Sequence, residues 1–262
     1  MPSHSLRRLL GLILPFLQIG VALLPLVGIG HSVGTMSAAS PTPVIPAGYA
    51  FPTMWTVLFA LSVAYGIWQF LPSRHDDPLA QQVGWPLAGA FAINVLWQAV
   101  AQFSARNGFH LVAIILVGLV CALVAFFAAR NSAEPGWASR WIVRPLCGLL
   151  AGWLTAASFA NISGAALAAG AIPASGFGAS LAAVLVLLAA GGFAVAVAWA
   201  ARGDLWYLGG VGWAFLAVVA ANLGINRFDL FSALAAAAML ALVGAVTWQR
   251  RARAAVAARA PG

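Results

Sequence analysis

The sequence contains no lysine: all 13 of its lysine-plus-arginine residues are arginines. Without lysine, the chain cannot form a retinal-type Schiff base or any other lysine-based covalent intermediate. Acidic residues are also scarce, and all 5 lie in predicted loops or at predicted helix ends: Asp76, Asp77, Glu134, Asp204 and Asp229. Because these positions offer no buried pair of carboxylates for acid–base catalysis, we expect the protein not to be an enzyme.

Histidine and cysteine add little chemistry. The 4 histidines are scattered along the chain, at His4, His31, His75 and His110. None has the spacing of a paired metal site, so we predict no metal site, although His31 or His110 could each ligate a haem iron. Cys121 and Cys147 are isolated within apolar segments, which favours two packed thiols over a disulfide.

Charged residues make up only 7% of the 262 residues, against about 25% in soluble domains, and 63% of the chain is hydrophobic. Apolar runs recur that are long enough to cross a hydrocarbon core of about 30 Å. The sequence therefore predicts an all-α, polytopic membrane bundle of eight spans: about 9–30, 50–71, 85–103, 110–129, 141–163, 179–201, 205–223 and 230–248. The first span has features of a signal peptide, but its length favours a retained helix.

The arginines are distributed unevenly between the predicted loops. If the N-terminus is cytoplasmic, 11 of the 13 arginines fall on the cytoplasmic side, and only Arg106 and Arg227 fall outside. We therefore expect both termini in the cytoplasm. The net charge of +8 then reflects topology and contact with anionic lipids, and no nucleic-acid partner is expected. Seven tryptophans would form an aromatic belt at that interface: Trp68, Trp85, Trp137, Trp141, Trp199, Trp206 and Trp248.

The stretch 46–59, PAGYAFPTMWTVLF, begins as a loop and continues as an apolar helix. Pro52 suits the first turn of that helix, because its missing N–H costs nothing there. Trp55 and Phe59 are four residues apart and share one face. The candidate lid or entry residues on the loop side of the stretch are Pro46, Gly48, Tyr49, Phe51 and Pro52.

Polar and aromatic side chains also share faces in the outer halves of the third and fifth spans. They are Asn94, Trp97 and Gln98 on the third span, and Trp153, Ala157 and Asn161 on the fifth. Polar groups at this depth face the bundle interior or a cavity. Spacing alone leaves two interpretations open: hydrogen bonds between helices with tryptophans in the core, or a ligand pocket.

Three stretches in this order resemble the TspO/MBR family of tryptophan-rich sensory proteins, related to the translocator protein or peripheral benzodiazepine receptor. They are PAGYAFPTMWTVLF at 46–59, INVLWQ at 93–98 and GWLTAASFAN at 152–161. The chain is similar to the long branch of the family, which implies a five-helix core in 1–170, three additional helices in 171–250 and a short basic tail at 251–262. Gln98 departs from the asparagine of many relatives. The resemblance implies an integral protein of the bacterial inner membrane.

The resemblance also implies a pocket in the five-helix core, beneath the loop between helices one and two, for porphyrins or other flat apolar ligands. Trp55 and Phe59 would stack on the ligand, while Asn94 and Gln98 would supply polar contacts. Trp153 would close the pocket and Ala157 would leave room. Trp97 and Asn161 complete the expected set, and the loop 31–48 would act as a lid. Porphyrin or haem would be a ligand rather than an obligatory cofactor.

Several functions fit these features. The protein would act as a sensor or regulator whose ligand occupancy affects a partner, or it would facilitate movement of the ligand. A transporter of a small hydrophobic or amphipathic solute is the alternative, without clear ion coupling, because no acidic residue lies within a span. Porphyrin breakdown, as proposed for the family, would use the tryptophans. Small-residue stretches at 164–170 and 191–192 permit close helix packing, including a homodimer.

Overall fold

The computed structural model describes residues 2–38, 41–132 and 136–257. Its α-helices are α1 (Pro2–Leu23), α2 (Val33–Ala38), α3 (Ala50–Phe70), α4 (Pro78–Gln102), α5 (Phe109–Asn131), α6 (Arg144–Ala168), α7 (Gly176–Ala200), α8 (Leu205–Asn222) and α9 (Leu230–Ala257). All of these except α2 belong to segments long and apolar enough to cross a membrane. The predicted all-α bundle of eight spans is therefore confirmed. Glu134, Arg259 and the end of the predicted tail lie outside the described residues.

Local chemistry sets the helix ends that hydropathy placed only approximately. The first span was predicted to reach residue 30, but α1 ends at Leu23 and a 3₁₀ turn, Leu24–Val27, follows. Pro25 has no N–H to continue the helix, and Gly28 closes the turn in the left-handed region at φ 82°. Helix α4 begins earlier than predicted because Asp77 Oδ1 accepts hydrogen bonds from the first-turn nitrogens of Leu79 and Ala80.

Helices α6 and α8 approach each other closely enough for their backbones to touch. A Cβ at Gly152 would lie 2.7 Å from Val211 N, and one at Gly210 would lie 2.9 Å from Trp153 N. The two backbones touch because glycine leaves no side chain between them. The seventh span therefore packs directly on the fifth, across the predicted boundary at residue 170. The division into a core and three additional helices stays a prediction.

Other glycines serve contacts within the chain. Gly164 packs on the side chain of Asn107, and Gly191 packs on Met239 of α9. Gly192 has no atom within 4 Å of an added Cβ. Two of the small-residue positions predicted to favour a homodimer are thus occupied by intramolecular packing, and dimerisation itself stays a prediction.

The two ends of the bundle differ in charge. Arg8 donates to the backbone oxygen of Phe70, Arg130 donates to that of Ala201, and the Arg250 guanidinium lies 4.2 Å from the Trp199 ring centre. Such contacts gather the start of α1, the described end of α9 and the described residues of the predicted cytoplasmic loops at one end, the arginine-rich end. Arg106 and Arg227 lie in loops at the opposite end, the distal end. Which end faces the cytoplasm stays a prediction.

Six of the seven predicted belt tryptophans are exposed at the arginine-rich end, but Trp68 is buried. Its ring lies 6.1 Å from that of Tyr65, within the hydrophobic core. The belt prediction is wrong for Trp68 because this face of α3 packs inside the bundle, and periodicity in a uniformly apolar helix does not reveal which face does so.

Candidate functional site

A cavity of about 490 Å³ lies toward the distal end, between α6, α7 and α8 and beneath the lid loop, of which residues 31–38 and 41–48 are described. Its volume is within the range of about 300–1,000 Å³ common for ligand pockets. Helices α3, α4, α6, α7 and α8 contribute Phe51, Trp97, Trp153, Ala156, Ala157, Phe159, Ala160, Asn161, Leu187, Ala190, Ala214, Phe215 and Val218. The predicted five-helix core thus supplies only part of the lining, and α7 and α8 supply the rest.

Aromatic side chains and small side chains together shape the cavity. Phe51 meets Trp153 edge to face with ring centres 5.7 Å apart, and Trp97 is a further aromatic lining residue. The alanines of α6, including Ala157, leave the space that larger residues would fill. A cavity with aromatic surface and open volume is suited to a broad apolar ligand.

A second void of about 30 Å³ adjoins this cavity, and the two share Phe51, Trp97, Trp153, Ala157 and Asn161. Trp55 and Asn94 line only this void. Its volume equals about one water molecule's share of the liquid, so it cannot hold a large ligand.

The structure brings together most of the predicted site residues, but only some of them line the large cavity. Those lining the large cavity are Trp97, Trp153, Ala157, Asn161, Pro46, Gly48 and Phe51. Phe59, Gln98, Tyr49 and Pro52 line neither space. Phe59 instead packs on Trp55 with ring centres 5.3 Å apart, and Tyr49 packs on Trp213 at 6.0 Å.

Asn94 has a structural partner. Its Nδ2 donates a 2.6 Å hydrogen bond to Gln18 Oε1 of α1, and both side chains are buried. This is the bond between helices that the sequence left open as the alternative to ligand contact. Gln98 is also buried, and its Nε2 has no hydrogen-bond partner among the described residues.

Four lining residues carry buried polar atoms without a partner among the described residues. The donors are the Nε1 atoms of Trp97 and Trp153, and the acceptors are the Oδ1 atoms of Asn107 and Asn161. Asn161 Nδ2 is occupied, because it donates to Ala157 O at 2.9 Å. Buried polar atoms normally find partners, so these atoms are available to a bound molecule.

The lid loop is fastened to α8. Ala47 N donates to Ala217 O at 3.0 Å, and Asn222 Nδ2 donates to Pro43 O at 2.8 Å. Just beyond the loop, Trp213 Nε1 donates to Ala50 O at 3.1 Å. These bonds hold the roof of the cavity to the seventh span.

Sequence reasoning missed the contributions of Asn107, Trp213, Asn222 and Arg227. The contribution of Asn222 could have been predicted, since an amide in the last turn of an apolar span needs a partner inside the bundle. The contributions of Asn107 and Arg227 could not, because both residues are in loops whose folding over the cavity depends on tertiary packing. His31 and His110, considered as haem ligands, do not line the cavity.

A family model described as TSPO-like protein matches residues 10–248. The match extends from α1 into α9, so it includes parts of all eight spans. No curated protein and no solved structure matches the chain.

Proposed function

The chain belongs to the TSPO-like family, and from this premise we propose that it binds a flat hydrophobic ligand of the porphyrin class in the cavity beneath its lid loop. The observation that carries this proposal is the cavity of about 490 Å³ with Phe51, Trp97 and Trp153 in its lining. Aromatic side chains cover the π-face of a tetrapyrrole well. The unpartnered indole and amide groups supply the few polar contacts that orient a ligand in such a site.

Binding coupled to sensing is better supported than passage through the membrane. The residues lining the cavity belong to the distal end and the middle of the bundle, and they include none of the arginines of the other end. The backbone contact between α6 and α8 at Gly152 and Gly210 borders the cavity at Trp153. A pocket of this form takes up a ligand from one end of the bundle. We therefore propose that the protein is a sensor or regulator without catalytic chemistry.

The test is a titration of the full-length protein in detergent with protoporphyrin, followed by porphyrin absorbance so that removing an indole does not change the signal. Trp153→Ala is expected to weaken binding about tenfold, equivalent to about 1.4 kcal/mol, because it removes one aromatic wall. Trp248→Ala is the matched control, since Trp248 is exposed at the arginine-rich end. Equal affinities in both variants and the parent protein would refute the site.

Reconstitution separates sensing from movement of the ligand. Liposomes containing the protein are expected to bind protoporphyrin without accumulating it in the lumen. Protein-dependent uptake that Ala157→Phe abolishes would establish the transport alternative instead.

A further inference from the structure

The mouth of the cavity contains one cationic side chain, Arg227 in the loop between α8 and α9. It lines the cavity next to Asn226 and is half-buried, whereas Arg106, the other distal arginine, is exposed. The backbone of Arg227 is held at both ends, because its N–H donates to Ala221 O at 3.1 Å and its oxygen accepts from Gly224 N at 2.9 Å. The backbone around Arg227 is therefore held by hydrogen bonds, and the side chain lines the cavity from this loop.

The nearest acidic group in sequence is already committed elsewhere. Asp229 Oδ2 accepts hydrogen bonds from Ser180 Oγ at 2.8 Å and Ser232 Oγ at 2.9 Å. Asp229 Oδ1 accepts from Ser232 N at 3.2 Å. Within the described part of the chain, the ion pair is Arg74–Asp77 at the other end, so Arg227 has no carboxylate partner there.

Partial burial without an ion-pair contact is unfavourable for a guanidinium. Burial lowers the pKa of Arg227 below its ordinary value, and the nearby Asp229 only opposes this shift. Arginine nevertheless remains protonated at neutral pH. The mouth therefore presents a fixed positive charge, and an anion bound there would restore the missing partner.

We propose that Arg227 binds an anionic carboxylate of the ligand, so that the cavity selects flat apolar acids over their neutral esters. This inference rests on the proposed function and adds a charge requirement to it. The planar guanidinium fork pairs with both oxygens of a carboxylate, and the amide of Asn226 provides a further donor beside it. The apolar body of the ligand then lies against Trp153 and Phe51, with its acidic edge at the mouth.

The test compares protoporphyrin with its dimethyl ester, which has the same ring and no carboxylate charge. The measured quantity is the ratio of acid affinity to ester affinity in each variant, divided by the ratio in the parent protein. This double ratio cancels the different partitioning of the two ligands into detergent micelles. Arg227→Gln is expected to lower the double ratio about tenfold, because the acid loses a charge-assisted hydrogen bond that the ester never makes.

Arg106→Gln is the matched control and is expected to leave the ratio unchanged, because Arg106 is outside the cavity lining. Arg227→Lys retains the charge and loses the fork, so an intermediate ratio is expected. It also keeps the proposal testable if Arg227→Gln does not fold. An unchanged ratio in Arg227→Gln, or in Arg227→Lys if only that variant folds, would overturn the inference. Weaker binding of both ligands by Trp153→Ala would still support the proposed function, whereas no binding of either ligand by the parent protein would end both.

Discussion

Trp213 of the seventh span donates a 3.1 Å hydrogen bond from its Nε1 to the backbone oxygen of Ala50, the first residue of the second span. The same indole ring packs edge-on against Tyr49. Four residues further along α8, the backbone oxygen of Ala217 accepts from Ala47 N of the lid loop. One of the three helices predicted as additions to the family core therefore holds the roof of the cavity, which gives that helix a direct role in the site.

Removing the indole donor should loosen this roof. Trp213→Phe keeps an aromatic ring against Tyr49 but loses the bond to Ala50 O. Amide hydrogen exchange around 47–54 is expected to accelerate about fivefold, since one hydrogen bond contributes about 1 kcal/mol. Trp206→Phe on the same helix is the control, because Trp206 lies at the arginine-rich end. Equal exchange in the two variants would show that the bond does not hold the loop.

A side chain between α6 and α8 should destabilise the bundle. The Cβ of Gly152→Ala would lie 2.7 Å from Val211 N and 3.1 Å from Gly210 Cα, and a backbone contact cannot yield without moving a helix. We expect a loss of about 1–3 kcal/mol or more, measured as a lower thermal unfolding midpoint in detergent. Gly192→Ala meets no atom within 4 Å and should unfold like the parent protein. Matching midpoints for the two variants would contradict the close contact.

Filling the cavity should block the ligand while leaving the fold intact. Ala157 lines both the large cavity and the small void, so Ala157→Phe places a ring in space that is otherwise open. Protoporphyrin affinity is expected to fall about tenfold or more, comparable to losing one stacking contact. Ala189→Phe is the control, since Ala189 is exposed on α7 beside the lining residue Ala190. Undiminished binding by Ala157→Phe would place the ligand elsewhere.

Asn94 should affect stability more than binding. Asn94→Ala removes the donor to Gln18 Oε1 and leaves a buried acceptor unpaired, which costs about 1–3 kcal/mol. Thermal unfolding of Asn94→Ala, Gln18→Ala and the double variant should show that the two effects are not additive. Protoporphyrin affinity should stay within about twofold of the parent value, because a hydrogen bond to ligand would be worth more. A loss as large as that of Trp153→Ala would restore Asn94 to the ligand contacts.

The site could be predicted only in part from the sequence. Trp97, Trp153 and Asn161 were identified because aromatic and amide side chains in the outer half of a span face the bundle interior or a cavity. Ala157 was identified because the family resemblance implied room for a ligand there. Phe59 and Gln98 were placed in the same set by helical spacing, but neither lines the cavity. Spacing identifies which residues share a face, and it does not say how far along that face a cavity extends.

The sequence by itself determined the class of this protein, because hydropathy and the scarcity of charge depend only on composition and local order. Eight apolar helices, the gathering of most of the described arginines at one end and the family resemblance all follow from that local information. Only the tertiary structure decided that α7 and α8 help to line the cavity and that Arg227 lies at its mouth. The physical reason is close approach: glycine contacts such as that of Gly152 with Gly210 determine which helices pack together. These contacts join residues more than 50 positions apart, so no local sequence pattern predicts them.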